Sequence, residues 1–160
     1  MTRRIVYKKI KVESEPPLIS KQHPELTIDL SAVAKGFSVD QVGMLLENKG
    51  LNNYLVEIGG EIRTKGFKQH QTPWVVAIER PVMGQSVIQQ VLSMGNNSLA
   101  TSGDYRNYFE KNGKRFSHLI DPNTGKPINH RLASASVVHQ SCMTADAFAT
   151  AFMITGFEKG

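Results

Sequence analysis

The residues best suited to chemistry lie in residues 141–152, Ser-Cys-Met-Thr-Ala-Asp-Ala-Phe-Ala-Thr-Ala-Phe, where one carboxylate, Asp146, stands among small apolar side chains. The pattern is helical, and Asp146 and Thr150, four residues apart, share one face. A carboxylate and a hydroxyl one turn apart can hold a hard cation such as Mg2+, which keeps some waters and binds through few carboxylates together with a substrate phosphate. The same pair also admits a local role, with Asp146 stabilised in the first turn by the positive helix end and Thr150 bonded back to a preceding carbonyl. Phe148 and Phe152 occupy another face with Ala151 and Met153 nearby, and that aromatic face is expected to pack inward.

Three other stretches are unusual for an inert scaffold. In Asp29-Leu-Ser-Ala-Val-Ala-Lys35-Gly36 a strand ends in a carboxylate and a helix starts within three residues, with a lysine in its first turn. A cation there opposes the positive end of the helix dipole. The conflict is relieved if an anion such as a pyrophosphate sits at the helix N-terminus, held by backbone N–H groups and Lys35 together. Otherwise Asp29 is a helix cap and Lys35 a solvated side chain. In Ser117-His118-Leu-Ile-Asp121-Pro122 a strand end carries a histidine, the natural general base near neutral pH, or else one satisfied by a backbone carbonyl. Ala100-Thr-Ser-Gly-Asp-Tyr105 would let a flat ligand approach the backbone, although a turn or bulge accounts for its small residues and is the reading preferred here.

These side chains need a scaffold, and the composition supplies one. A chain of 160 residues, 40% hydrophobic and 21% charged, is one domain's worth of globular protein. It has no apolar run long enough to span a bilayer and opens without the apolar core of a signal peptide. A single cysteine, Cys142, excludes an internal disulfide and leaves the redox compartment open. The net charge of +5 is scattered rather than gathered into a stripe, which argues against nucleic-acid binding.

Strands are expected at 4–12 and 26–30, then a helix at 32–48 capped by Ser31, with Val33, Phe37, Val42, Leu45 and Leu46 as its apolar positions. Lys49-Gly50 ends that helix, and a strand at 54–58 closes on Gly59-Gly60. Further strands are expected at 61–65, 74–79, 87–94, 99–102 and 115–120, a loop at 121–127, and a last strand at 133–139 before the final helix. There are no internal repeats and no linker, so residues 1–160 form a single domain. Phosphate-loop, dinucleotide and zinc signatures are all missing.

In order along the chain, Asp29-Leu-x-x-x-Ala-Lys-Gly, Glu57-Ile-Gly-Gly-Glu61, Ala100-Thr-Ser-Gly-Asp-Tyr105, His118-x-Ile-Asp-Pro-x-Thr-Gly-x-Pro127 and Thr144-Ala-Asp-x-x-x-Thr150 resemble the ApbE-type FAD:protein FMN transferases of bacteria. The resemblance implies an α+β fold, a mixed or antiparallel sheet core with a few packed helices. It also implies Mg2+-dependent transfer of the FMN moiety of FAD to a threonine hydroxyl, releasing AMP. The acceptors it implies are flavin-carrying subunits, such as those of the sodium-pumping quinone reductase and its Rnf relatives, bearing a Ser/Thr-Gly-x-Ser/Thr motif. Residue by residue, it gives Asp146 and Thr150 to the metal through side chains, Ala32 and Ala149 to it through the backbone, Asp29, Lys35 and Ile120 to FAD, and the catalytic role to His118.

Family members carry further chain before the strand of Asp29 and after Gly160, so the expected fold is truncated at both ends. Strand edges and apolar faces left uncovered would favour self-association. Two alternative readings stand beside transfer: a noncatalytic flavin-binding or interaction fragment, and an FAD pyrophosphatase giving AMP and FMN. The family also implies a periplasmic protein tethered to the bacterial inner membrane.

Overall fold

The computed structural model describes residues 7–82, 87–104, 108–111, 113–158 and 160. Residues 4–6 of the expected first strand and Tyr105 of the third motif lie outside them. Within the described residues the fold is α+β, as expected, with two α-helices packed together against antiparallel sheet.

A short 3-10 turn, Tyr7–Lys9, leads into β1 (Ile10–Ser14), which pairs with β2 (Pro17–Lys21). Glu15 and Pro16 form the turn of this hairpin, and the strand begun at Ile10 runs to Ser14, past the expected end at Val12. The chain then runs without sheet pairing through 26–30, where a strand was expected: those residues have strand-like side chains, but no described strand pairs with them.

Helix α1 (Ser31–Asn48) follows, and its apolar pattern misleads. Phe37, Val42 and Leu45 are exposed, whereas the buried residues are Gly36, Val39, Asp40 and Gly43. Close approach selects this face. A Cβ on Gly36 would overlap the backbone carbonyl of Cys142 and lie 2.8 Å from Asp146 Cβ, and one on Gly43 would lie 3.0 Å from both Arg63 Cδ and Tyr54 Oη. The helix ends as read, at Lys49 with Gly50 in the left-handed region.

Strands β3 (Tyr54–Ile58) and β4 (Glu61–Lys65) form a hairpin closed by Gly59 and Gly60, with φ of +61° and +102°. Two residues at positive φ make the tight turn whose twist matches paired strands. After β5 (Val75–Glu79) and β6 (Ile88–Ser93), which pair only with each other, β7 (Ser98–Gly103) enters the sheet beside β4. The β4–β7 register holds only Ile62 opposite Leu99 and Arg63 opposite Ser98. Pairing stops at Glu61, and a gap opens there.

An unforeseen strand β8 (Tyr108–Lys111) pairs with β9 (Lys114–Ser117), while β10 (Ile120–Asp121) pairs with β11 (Lys126–Pro127). The single strand expected at 115–120 is thus broken at His118, whose neighbours serve different hairpins. Strand β12 (Ser134–His139) lies on the far edge of β7, completing a four-stranded sheet in the order β12-β7-β4-β3. The strand expected at 99–102 is present as β7, so residues 100–103 lie in regular strand rather than in the turn or bulge preferred for their small residues, which let α2 sit close.

Helix α2 (Cys142–Thr155) buries Cys142, Ala145, Asp146, Ala149 and Met153. Ala145 and Ala149 pack on Ala100 of β7, with Val137 of β12 beside them. Phe148 is instead 52% exposed, with its ring 5.9 Å from that of Phe152, so the aromatic face turns outward and the small residues turn inward. A second cluster joins Val76, Met94 and Leu99 under Trp74, Ile62, Ile78 and Leu92. Among the described residues no helix is long and apolar enough to cross a membrane.

Candidate functional site

A cavity of about 670 Å³ opens where β4 and β7 part, between the first turns of α1, the end of β7, the segment around β10 and one face of α2. It collects Asp29, Ala32, Lys35, His118, Ile120, Asp146 and Thr150, seven of the eight residues singled out from sequence. Ala149 does not line it. Fully buried, its side chain packs on the sheet with Ala100 and Ala145.

At the α1 end, Asp29 Oδ1 accepts the backbone N–H of Ser31 at 2.8 Å. That N–H and the Ser31 hydroxyl hold the Asp29 carboxyl below its ordinary range. The capping role expected of Ser31 therefore falls to Asp29, because the helical boundary lies at Leu30, whose side chain has nothing to offer the free N–H groups. One turn on, Lys35 reaches across the gap and donates from Nζ to Glu61 Oε1 at 2.7 Å and to the Gly59 carbonyl at 3.5 Å.

On α2, Asp146 is 4% exposed, and its Oδ2 accepts the backbone N–H of Gly36 at 3.0 Å. It sits in the second turn of the helix, past the reach of the end effect that offered a local role. Thr150, partly buried, lines the same cavity one turn later. The N-terminus of α2 is capped twice. Ser141 Oγ accepts the N–H of Thr144 at 3.2 Å, and the Asp40 carboxylate of α1 accepts the N–H groups of Cys142 and Met143, each at 3.0 Å. Burial opposes charge on Asp40, but the Met143 and Cys142 N–H groups, Arg63 and the Ser141 hydroxyl outweigh it and hold the carboxyl below its ordinary range.

His118 and Ile120, both exposed, line the opposite wall. Asp121, three residues from His118, is committed to its own loop: its Oδ1 accepts the Asn123 N–H at 2.8 Å and its Oδ2 the Thr124 hydroxyl at 3.0 Å. Thr101, Ser102 and Gly103 complete the wall from β7.

Glu61 is the site residue that the spacing argument did not single out. It is 1% exposed, its Oε1 is taken by Lys35, and its Oε2 is buried without a hydrogen-bond partner. Burial pushes its carboxyl above the ordinary range, Lys35 opposes that shift, and the charge of Asp146 adds to it. The available signal was its place directly after the Gly59-Gly60 turn, inside one of the quoted motifs.

The donors suit a hard cation. Asp146 and Thr150 offer oxygen, and among the described residues no group of three or more His, Cys, Asp or Glu forms a cage of its own. Proteins generally hold a hard cation such as Mg2+ through few carboxylates, with water and phosphate oxygens completing the shell.

The model of the ApbE family matches residues 1–160 of the chain. The FAD:protein FMN transferase of Vibrio cholerae is 53% identical over 142 residues, 89% of this chain and 42% of that protein. The Haemophilus influenzae protein of the same name is 49% identical over 146 residues, 91% of this chain and 42% of its own. Among solved structures, the flavin transferase ApbE from Vibrio cholerae superposes with a TM-score of 0.85 at 45% identity, covering 99% of this chain and 49% of that one. The apo form of the Pseudomonas stutzeri flavinyl transferase ApbE gives 0.85 at 37% identity, over 99% and 48%. The chain thus spans less than half the length of the relatives it matches, and by sequence and fold it belongs to the ApbE family.

Proposed function

We propose that this chain forms the metal-binding and pyrophosphate-binding part of a FAD:protein FMN transferase. One observation carries the reading: three stretches far apart in sequence bring Asp29, Ala32 and Lys35, then His118 and Ile120, then Asp146 and Thr150 to a single cavity. Lys35 brings a cation to the cavity at the N-terminal end of α1, the positive end of the helix dipole, so this end takes the pyrophosphate of FAD. Ile120 offers an apolar surface to the ligand. Asp146 and Thr150, with a backbone contribution from Ala32, would hold Mg2+, which when bound would neutralise charge on the phosphoryl oxygens; Ala149, packed against the sheet, is left out of this set.

In the transfer, the threonine oxygen of the acceptor forms a bond to the FMN phosphorus, and the bond from that phosphorus to the bridging oxygen breaks. AMP leaves with that oxygen. His118 accepts the hydroxyl proton, a task that needs a base within hydrogen-bond reach and alignment of both reactants. The acceptor is a flavin-carrying subunit presenting Ser/Thr-Gly-x-Ser/Thr, and the reaction takes place on the periplasmic side of the bacterial inner membrane. Exposed Leu18, Ile19, Phe37 and Leu45 provide apolar surface for self-association of the isolated chain, which light scattering would read as a mass above that of a monomer.

The test is incubation with FAD, Mg2+ and a peptide carrying that motif. Transfer yields AMP and a fluorescent peptide in equal amounts. AMP with free FMN would mean that water replaces the threonine, and flavin binding without AMP would mean a noncatalytic site. Neither AMP nor bound flavin would sink the proposal.

A further inference from the structure

Glu61 stands in an expensive position. Its side chain is 2% exposed, only one of its oxygens is hydrogen-bonded, and its partner Lys35 is 47% exposed. A buried carboxylate with a half-solvated partner and an unsatisfied oxygen is poor support for a fold, because desolvation cancels much of the attraction. Such a group calls for a reason other than stability.

The surroundings supply one. Lys35 is gripped from two sides by a single turn. A Cβ at Gly59 would lie 3.2 Å from Lys35 Cδ, so the aliphatic stem runs against the bare Gly59 backbone. The ammonium end is fixed by Glu61 Oε1 and reaches the Gly59 carbonyl. Gly59 adopts φ +61°, which places its carbonyl and the following strand for this contact at no steric cost. Lys35 also forms the wall shared by the main cavity and a neighbouring one of about 450 Å³ bounded by Gly59, Gly60 and Ala77. Left alone, a lysine so placed would sample many rotamers and face either space.

We propose that Glu61 is a positioning residue, which together with Gly59 locks the Lys35 ammonium toward the pyrophosphate end of the main cavity. The inference rests on the function proposed above, and it assigns Glu61 no contact with the reacting atoms. Its negative charge by itself disfavours an anionic ligand, so positioning and simple charge predict opposite results.

The experiment measures FAD affinity by flavin fluorescence with Mg2+ present, for Glu61→Gln, Glu61→Leu and Gly59→Ala, each alone and combined with Lys35→Met, with circular dichroism to verify folding. Glu61→Gln keeps an oxygen acceptor for Lys35 and is expected to bind within a few-fold of the unsubstituted chain. Glu61→Leu releases Lys35 and weakens binding about tenfold, the size of one lost charge-assisted hydrogen bond. Gly59→Ala presses on the Lys35 stem and weakens binding several-fold, providing a second reading should Glu61→Leu fail to fold. In the Lys35→Met background all three effects vanish, as a residue acting through another requires. Tighter binding by both Glu61 variants, or effects that persist without Lys35, would overturn the inference. An unchanged affinity in Lys35→Met alone, or no FAD binding by the unsubstituted chain, would overturn the proposed function along with it.

Discussion

Asp146 Oδ2 accepts the backbone N–H of Gly36 at 3.0 Å, joining the second turns of two helices that lie 110 residues apart in sequence. Asp40 returns the exchange from α1, accepting the first N–H groups of α2. Each helix thus lends a carboxylate to the backbone of the other. The cavity forms beside this joint, so the candidate metal residue is also part of what aligns the helices.

The two roles of Asp146 can be separated. Asp146→Asn keeps an oxygen for the Gly36 N–H but removes the charge a cation needs, so its melting temperature should stay near that of the unsubstituted chain. Mg2+ dependence of FAD binding should disappear. Asp146→Ala loses both and should also be less stable by about 1.5–3 kcal/mol, the range for a hydrogen bond to a charged group. Thermal melts and metal titrations followed by flavin fluorescence check both; metal dependence that survives in Asp146→Asn would remove the residue from the metal site.

Gly36→Ala should destabilise the chain, although alanine ordinarily favours a helix over glycine by about 1 kcal/mol. Its Cβ would collide with the backbone carbonyl of Cys142 and crowd Asp146 Cβ at 2.8 Å, and neither can yield without moving α2. Overpacking of this kind costs about 1–3 kcal/mol, a fall of several degrees in melting temperature. An increase in melting temperature would show that the helices are not held this closely.

The chemistry was more legible in the sequence than the packing. Asp146 and Thr150 are joined by helical period alone, and Gly59-Gly60 announces its hairpin, so local rules were enough. The buried face of α1 does not follow its apolar positions, because it consists of Gly36, Val39, Asp40 and Gly43, where close approach and charge capping count for more than apolarity. Phe148 was misplaced for the same reason: a face that must touch β7 has room for alanine and not for an aromatic ring. Strand-like residues at 26–30 failed to form a strand because pairing depends on a neighbour, which a single segment does not encode. Glu61 was invisible to spacing, since its partners Lys35 and Asp146 arrive from other elements.

Cys142 should be inert in the folded chain. It is fully buried, and burial, followed by the negative charges of Asp40, Glu61 and Asp146, pushes its thiol up to about 12. Since the thiolate is the reactive form, iodoacetamide at pH 8 should modify it only after unfolding. Mass spectrometry with and without urea reads this directly, and rapid labelling without urea would contradict the packing of α2 against α1.

Glu47 makes an acid-sensitive set of contacts on α1. Its Oε2 accepts from Lys65 Nζ at 2.7 Å, and its Oε1 from Tyr54 Oη at 2.6 Å and from Arg63 at 3.0 Å. The Lys65 bond first, then Tyr54, hold its carboxyl at about 2 against an ordinary 4.5. A folded-state value below the unfolded one means that the stabilisation is fully present above pH 4.5 and is lost as the pH falls toward about 2. Solvent reaches this network, so its contribution is about 1 kcal/mol, or a few degrees of melting temperature. Glu47→Gln should therefore melt a few degrees lower at neutral pH and show a shallower loss of stability through that acid window. Parallel acid profiles for the two chains would mean that the Glu47 network contributes nothing to stability.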